Sequence, residues 1–170
     1  METMLASTIL TNSIVVISPI INSITTISAS IYNLIRHIKV TKNTHYTELI
    51  KMLNQTDIEA TILLLQTIIL DISSLPYDKY FNNNKFIIIA LNNVKEIICQ
   101  IETELHDIKE KINYNTSLYV MSNMRSYDLL ANLEVIENKI SVLDRRCEYL
   151  FKSLDLCKHF TNTECPAMEK

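Results

Sequence analysis

Residues 87–112 read IIIALNNVKEIICQIETELHDIKEKI, and their spacing decides the fold. Ile87, Leu91, Val94, Ile98, Ile101, Leu105, Ile108 and Ile112 follow one another at steps of three or four. A helix returns to the same face about every 3.6 residues and a strand every two, so this spacing draws one apolar stripe along a helix. The same rhythm resumes at Leu129, Leu133, Ile136, Ile140, Leu143, Cys147, Leu150, Leu154 and Cys157. Two long one-sided helices must cover their stripes against other elements, and no stretch of the chain keeps the alternation that a sheet would need.

Upstream, Ser18 can cap a helix with Pro19 in its first turn, where the missing amide hydrogen costs nothing. Ile20, Ile24, Ile27, Ile31, Leu34 and Ile38 then form its seam, and Arg36, His37 and Lys39 stand in the last turns, where they complement the helix dipole. The alternative is one helix from about Met4, kinked at Pro19. A second helix is expected from Tyr46 to Ser74, stopped by Pro76. It begins one-sided through Leu49, Leu53 and Ala60. It then becomes apolar around most of its circumference, through Ile58, Ile62, Leu63, Leu64, Leu65, Ile68, Ile69, Leu70 and Ile72. A helix apolar all round belongs at the centre of a bundle. The third helix is expected over Lys85–Ile112 and the fourth from Ser122 or Ser126 to His159. The fold expected is all-α, an antiparallel up-down four-helix bundle over residues 18–160. An apolar N-terminal segment at 1–17 precedes it and a polar tail at 161–170 follows.

The chain has 170 residues and no glycine, which removes whole classes of function. Phosphate-cradling loops and dinucleotide fingerprints bring backbone amides close to a ligand by means of glycine, so neither exists here in its usual form. Helix ends must close on asparagine instead, as in Asn82-Asn83-Asn84 and Asn113-Tyr114-Asn115. A net charge of −3 argues against nucleic-acid binding, which rests on neutralising phosphates.

Among the cysteines Cys99, Cys147, Cys157 and Cys165, two lie in the seam of the fourth helix, where a free thiol acts as a small apolar group. A reducing, cytoplasmic setting suits them better than a disulfide framework. Carboxylate-bridged metal bundles need Glu-x-x-His on an inner face, and His106 follows Glu102 by four positions, not three. Cys157, His159 and Cys165 would make a zinc site only with a fourth ligand that is not evident. His37, His45, His106 and His159 sit at helix ends or flanks, with no serine or cysteine in a strained turn beside them. The reading is a protein without cofactor, metal or catalytic residues.

The most unusual segment is the N-terminus, which carries no charge between Glu2 and Arg36. Glu2 stands where a secretory signal wants basic residues, and Ser, Thr and Asn interrupt every apolar run well short of a membrane span. An uncharged helix of this kind packs on the bundle, or enters a membrane or zips chains together through Ile9, Leu10, Ile14, Val15, Val16 and Ile17. At the first corner Arg36, Lys39, Lys42 and Lys51, with His37 and His45, form a small basic cluster that could face lipid headgroups. Off the seam of the fourth helix, Tyr127, Tyr149 and Phe151 would favour a protein partner.

In order, the near-uncharged N-terminus runs through Ile20 to Ile38. A second helix follows from Leu49-Ile50-Lys51-Met52-Leu53 to Ile72, a third from Ala90-Leu91 to Ile112, and a long fourth from Leu129 to Leu154. This layout resembles the HeLo-like four-helix bundles of programmed cell death. Those include fungal HeLo domains, the N-terminal bundles of mixed-lineage kinase-like pseudokinases, and plant resistance-protein coiled-coil domains. The resemblance implies a non-enzymatic bundle that assembles into a homo-oligomer and permeabilises an anionic membrane through its N-terminal helix. Three readings stand side by side: this membrane-acting bundle, an adaptor or decoy that binds a partner helix without touching lipid, and a structural protein that dimerises through the fourth helix.

Overall fold

A computed structural model describes residues 2–40, 46–74, 85–117 and 130–163. Among the described residues there are five helices and no strand: α1 Glu2–Val40, α2 Thr47–Gln55, α3 Ile58–Ser74, α4 Lys85–Ser117 and α5 Leu130–Thr163.

Helix α1 is continuous through Pro19, the single-helix alternative to a start at Ser18. Pro19 is exposed, so its ring faces away from the packed side, and the helix forgoes only the bond that its amide would have made. From Ile17 onward α1 buries three adjacent rows with a seven-residue repeat: Ile17, Ile24, Ile31 and Ile38; Ile21, Ser28 and Ile35; and Ile20, Ile27 and Leu34, of which Ile27 is half-buried. A stripe this wide contacts two neighbours, and α1 packs along both α3 and α4.

The expected second helix, Tyr46 to Ser74, is two helices. The chain breaks at Thr56 and Asp57, where Asp57 takes φ of 47°, the left-handed conformation. Thr56 closes α2 through its amide to the Met52 carbonyl at 2.9 Å, and its Oγ1 donates to the same carbonyl at 3.0 Å. The Asp57 carbonyl in turn accepts from the Thr61 amide at 3.1 Å, starting α3. One residue thus ends a helix and begins the next. Glycine would take this position at no steric cost, and in a chain without glycine a short polar residue is the best substitute.

The expectation that this region is the buried centre is also corrected. Helix α3 buries Ile58, Ile62, Leu65, Ile69 and Ile72 against α1. It leaves Leu63 45 %, Leu64 55 % and Leu70 61 % exposed. The central position belongs to α4, which packs against both α1 and α5. All eight residues of its expected seam are buried, and Ala90 and Ile97 widen the stripe. Helix α4 also runs on through the Asn113-Tyr114-Asn115 stretch expected as a loop, ending at Ser117.

Helices α4 and α5 run antiparallel, as three cross-links in falling and rising order require. Lys111 Nζ donates to Asn132 Oδ1 at 2.7 Å, Lys139 Nζ pairs with Glu104 at 2.6 Å, and Arg146 pairs with Glu96 at 3.1 Å while also donating to the Asn93 carbonyl. Each is half-exposed and contributes little on its own, typically under about 1 kcal/mol. Their common register fixes which turn of α5 lies on which turn of α4. Beneath them Ile136, Ile140, Leu143, Cys147, Leu150 and Cys157 are buried as the seam anticipates, with Leu133 and Leu154 half-buried and Leu129 outside the described residues.

Candidate interaction surface

The outer face of α3 is built from Ala60, Leu63, Leu64, Thr67 and Leu70, all exposed. These fall at helical spacing, one side of a helix whose other side is the α1-facing core. The Thr67 hydroxyl donates to the Leu63 carbonyl at 3.1 Å and so is satisfied within the helix, and exposed Asp71, seven residues after Leu64, places one carboxylate at the C-terminal end of the face. Three exposed leucines, Leu63, Leu64 and Leu70, on one helix exceed the scattered apolar exposure of an ordinary surface.

Between α3 and α5 this face descends into a cavity of about 250 Å³ lined by Thr61, Leu64, Leu65, Asp144, Cys147, Glu148 and Phe151. Leu65 and Cys147 are buried at its floor, Phe151 is half-buried, and the two carboxylates are exposed at its rim. Burial pushes the Cys147 thiol up to about 12, with the negative charge of Asp144 adding to the effect. The thiol is therefore neutral at physiological pH, an apolar wall and not a nucleophile. Desolvation raises the Asp144 carboxyl above its ordinary value. Glu148 pairs with Lys152 at 2.6 Å, one turn along α5. Among the described residues Asp144 pairs with no cation.

A second shallow site of about 200 Å³ lies between α4 and α5, lined by Phe86, Ile89, Ala90, Asn93, Arg146, Tyr149 and Ser153. Here Ile89 and Tyr149 are exposed. Tyr149 is thus on the surface as expected of a partner-facing aromatic, Phe151 sits partly in the α3–α5 cavity, and Tyr127 is outside the described residues.

Of the residues expected to act at a membrane or in assembly, Ile17 is wholly buried at the head of an α1 row. Ile9, Leu10, Ile14, Val15 and Val16 lie on the α1 backbone, but their side chains are outside the described residues. In the basic cluster, Lys39 is committed to Glu59 at 2.7 Å, across to the first turn of α3. The Arg36 guanidinium lies 5.8 Å from the Tyr32 ring centroid, a cation–π contact. Lys51 is exposed on α2, and Lys42 is outside the described residues. Two of the three described cations, Arg36 and Lys39, are thus engaged within the fold.

Among the described residues no helix is long and apolar enough to cross a membrane, and no three His, Cys, Asp or Glu side chains converge to hold a metal ion. Cys165, part of the zinc set weighed from sequence, is outside them.

The leucine face of α3 is not legible in the sequence: a run apolar on all sides reads as buried on all sides, and the absence of any lysine or arginine across Ile58–Ser74 points the same way. Compared with known proteins, the chain matches no family model, no curated protein and no solved structure.

Proposed function

We propose that this chain is a non-enzymatic helical interaction module that binds another protein helix along the outer face of α3. Its frame on this reading is an up-down bundle of α1, α3, α4 and α5. The observation that carries the proposal is the exposure of Leu63, Leu64 and Leu70 on one face, beside a cavity floored by Leu65, Cys147 and Phe151. Helix-in-groove recognition uses this geometry: apolar anchors at i, i+3, i+4 and i+7 of the incoming helix fill a hydrophobic trough. The test is selection of a displayed library of amphipathic helical peptides on the full chain. Selected peptides should bind the wild type and lose binding to the Leu64→Glu, Leu70→Glu double variant, which keeps its helical circular-dichroism spectrum because both residues are exposed. Failure to enrich any peptide that responds to these substitutions would refute the reading.

A second reading follows the HeLo-like resemblance: self-assembly and engagement of an anionic membrane by the N-terminal part of α1, through Ile9, Leu10, Ile14, Val15 and Val16. It draws on the sequence of that helix, which carries no charge between Glu2 and Arg36. Leakage of anionic vesicles that is lost when residues 2–16 are deleted would support it. The deletion must stop before Ile17, which belongs to the core. Vesicles left intact by the wild type at low salt would end it.

A further inference from the structure

We infer that the helix received by the α3–α5 groove is basic as well as amphipathic, an inference that rests on the interaction-module reading above. The groove has two unlike walls. On the α3 side stand Thr61, Leu64 and Leu65, on a helix without a single basic residue. On the α5 side stand the rim carboxylates Asp144 and Glu148. Two helical turns before Asp144 lies Glu137, and two turns after Glu148 lies Asp155, both exposed. A seven-residue step returns to the same face, so the acidic line extends along the helix on the flank that borders the groove. Lys152 compensates Glu148, and among the described residues no cation pairs with Glu137, Asp144 or Asp155.

The charge pattern selects among occupants. A second copy of the chain docking the same face in a two-fold arrangement would set this acidic line against itself, because a two-fold interface pairs a patch with its own copy. An anionic lipid surface is repelled for the same reason. The stretch of α1 between Glu2 and Arg36 carries no charge, so in another copy it leaves the carboxylates unanswered. A helix with leucine or phenylalanine on one edge and lysine or arginine on the adjoining edge satisfies both walls: the apolar anchors cover Leu64, Leu65 and Phe151, and the cations face Asp144 and Glu148. The raised proton affinity of Asp144 agrees with this, since a partner cation would relieve the cost of its charge. Helix α3 is 17 residues long, about 26 Å, and a partner helix of roughly five turns spans that length.

The experiment is a fluorescence-anisotropy titration of the full chain with two synthetic peptides of that length. One has leucine at heptad positions with lysine elsewhere, and the other has glutamate in place of lysine. The leucine–lysine peptide should bind, its affinity should fall with added salt, and the leucine–glutamate peptide should bind at least about tenfold more weakly. Asp144→Lys with Glu148→Lys should weaken the leucine–lysine peptide by about tenfold or more. The control pair Asp107→Lys with Glu110→Lys makes the same change in net charge on exposed sites of α4 and should leave binding unchanged. Equal loss in the control would reduce the binding to bulk charge attraction and overturn the inference. So would equal affinity for the two peptides. If both peptides bind equally and both are lost with Leu64→Glu, Leu70→Glu, the interaction-module reading stands and only the basic partner falls. If neither responds to those leucine substitutions, the module reading falls with it.

Discussion

Ser28 sits in the row Ile21, Ser28, Ile35, the only polar side chain in the otherwise isoleucine- and leucine-lined core face of α1 from Ile17 onward. Its side chain is 0 % exposed and its Oγ has no hydrogen-bond partner. The contrast with Thr25 and Thr26 is local: their hydroxyls bond back to the preceding turn, and that of Ser28 does not. A buried hydroxyl left without a partner costs about 1–3 kcal/mol in desolvation. Alanine removes that cost and adds a few tenths of a kcal/mol in helix propensity, while the lost oxygen leaves a void too small to matter much. Ser28→Ala should therefore stabilise the protein by about 1–2 kcal/mol. For a chain of this size that corresponds to a rise in Tm of about 3–6 °C. The assay is paired urea and thermal melts of wild type and variant, with the urea m-value unchanged so that the gain is assigned to the native state. Ser28→Val supplies the opposite sign, since added volume in a packed seam costs about 1–3 kcal/mol. A Ser28→Ala protein less stable than wild type would refute the reasoning, because the hydroxyl would then be shown to make a bond that stabilises the fold.

Three further expectations follow from particular residues. Asp57→Ala should cost about 1 kcal/mol relative to Asp57→Gly or Asp57→Asn, because alanine resists the left-handed conformation at φ of 47°; equal melts for all three would show that the α2–α3 junction relaxes freely. Asp144 binds its proton more tightly in the folded chain than its ordinary value of 3.8, so the folded state holds more protons in that window and stability falls as pH rises through it. Asp144→Asn should accordingly be more stable than wild type at neutral pH, with the difference shrinking as the pH falls towards 3.8 and lost below it, and a difference that is constant with pH would contradict this. Iodoacetamide should modify exposed Cys99 in the native protein while Cys147 and Cys157 react only on unfolding, read by peptide mass spectrometry; early labelling of Cys147 would contradict its burial and its raised proton affinity.

Helicity, and the apolar faces of α1, α4 and α5, are legible in residue spacing alone. A three-and-four repeat is a local property: once Ile87, Leu91, Val94 and Ile98 recur at that spacing, the stripe follows from helix geometry alone, and all four are buried. The same holds for Ile136, Ile140, Leu143 and Leu150 on α5. Which neighbour each stripe meets, and so which helix is central, depends on contacts between segments far apart in the chain. The run from Ile58 to Ile72 presents apolar residues in every direction, so its periodicity cannot say which side is covered. Packing against α1 covers one side and leaves Leu63, Leu64 and Leu70 outside. Helix α4 became the centre because its neighbours approach from two sides, a matter of arrangement between segments distant in the chain. The break at Asp57 belongs to the same class. Thr56-Asp57-Ile58 has neither proline nor glycine to announce a turn, and the folded chain holds an aspartate there in a conformation that local preference alone disfavours.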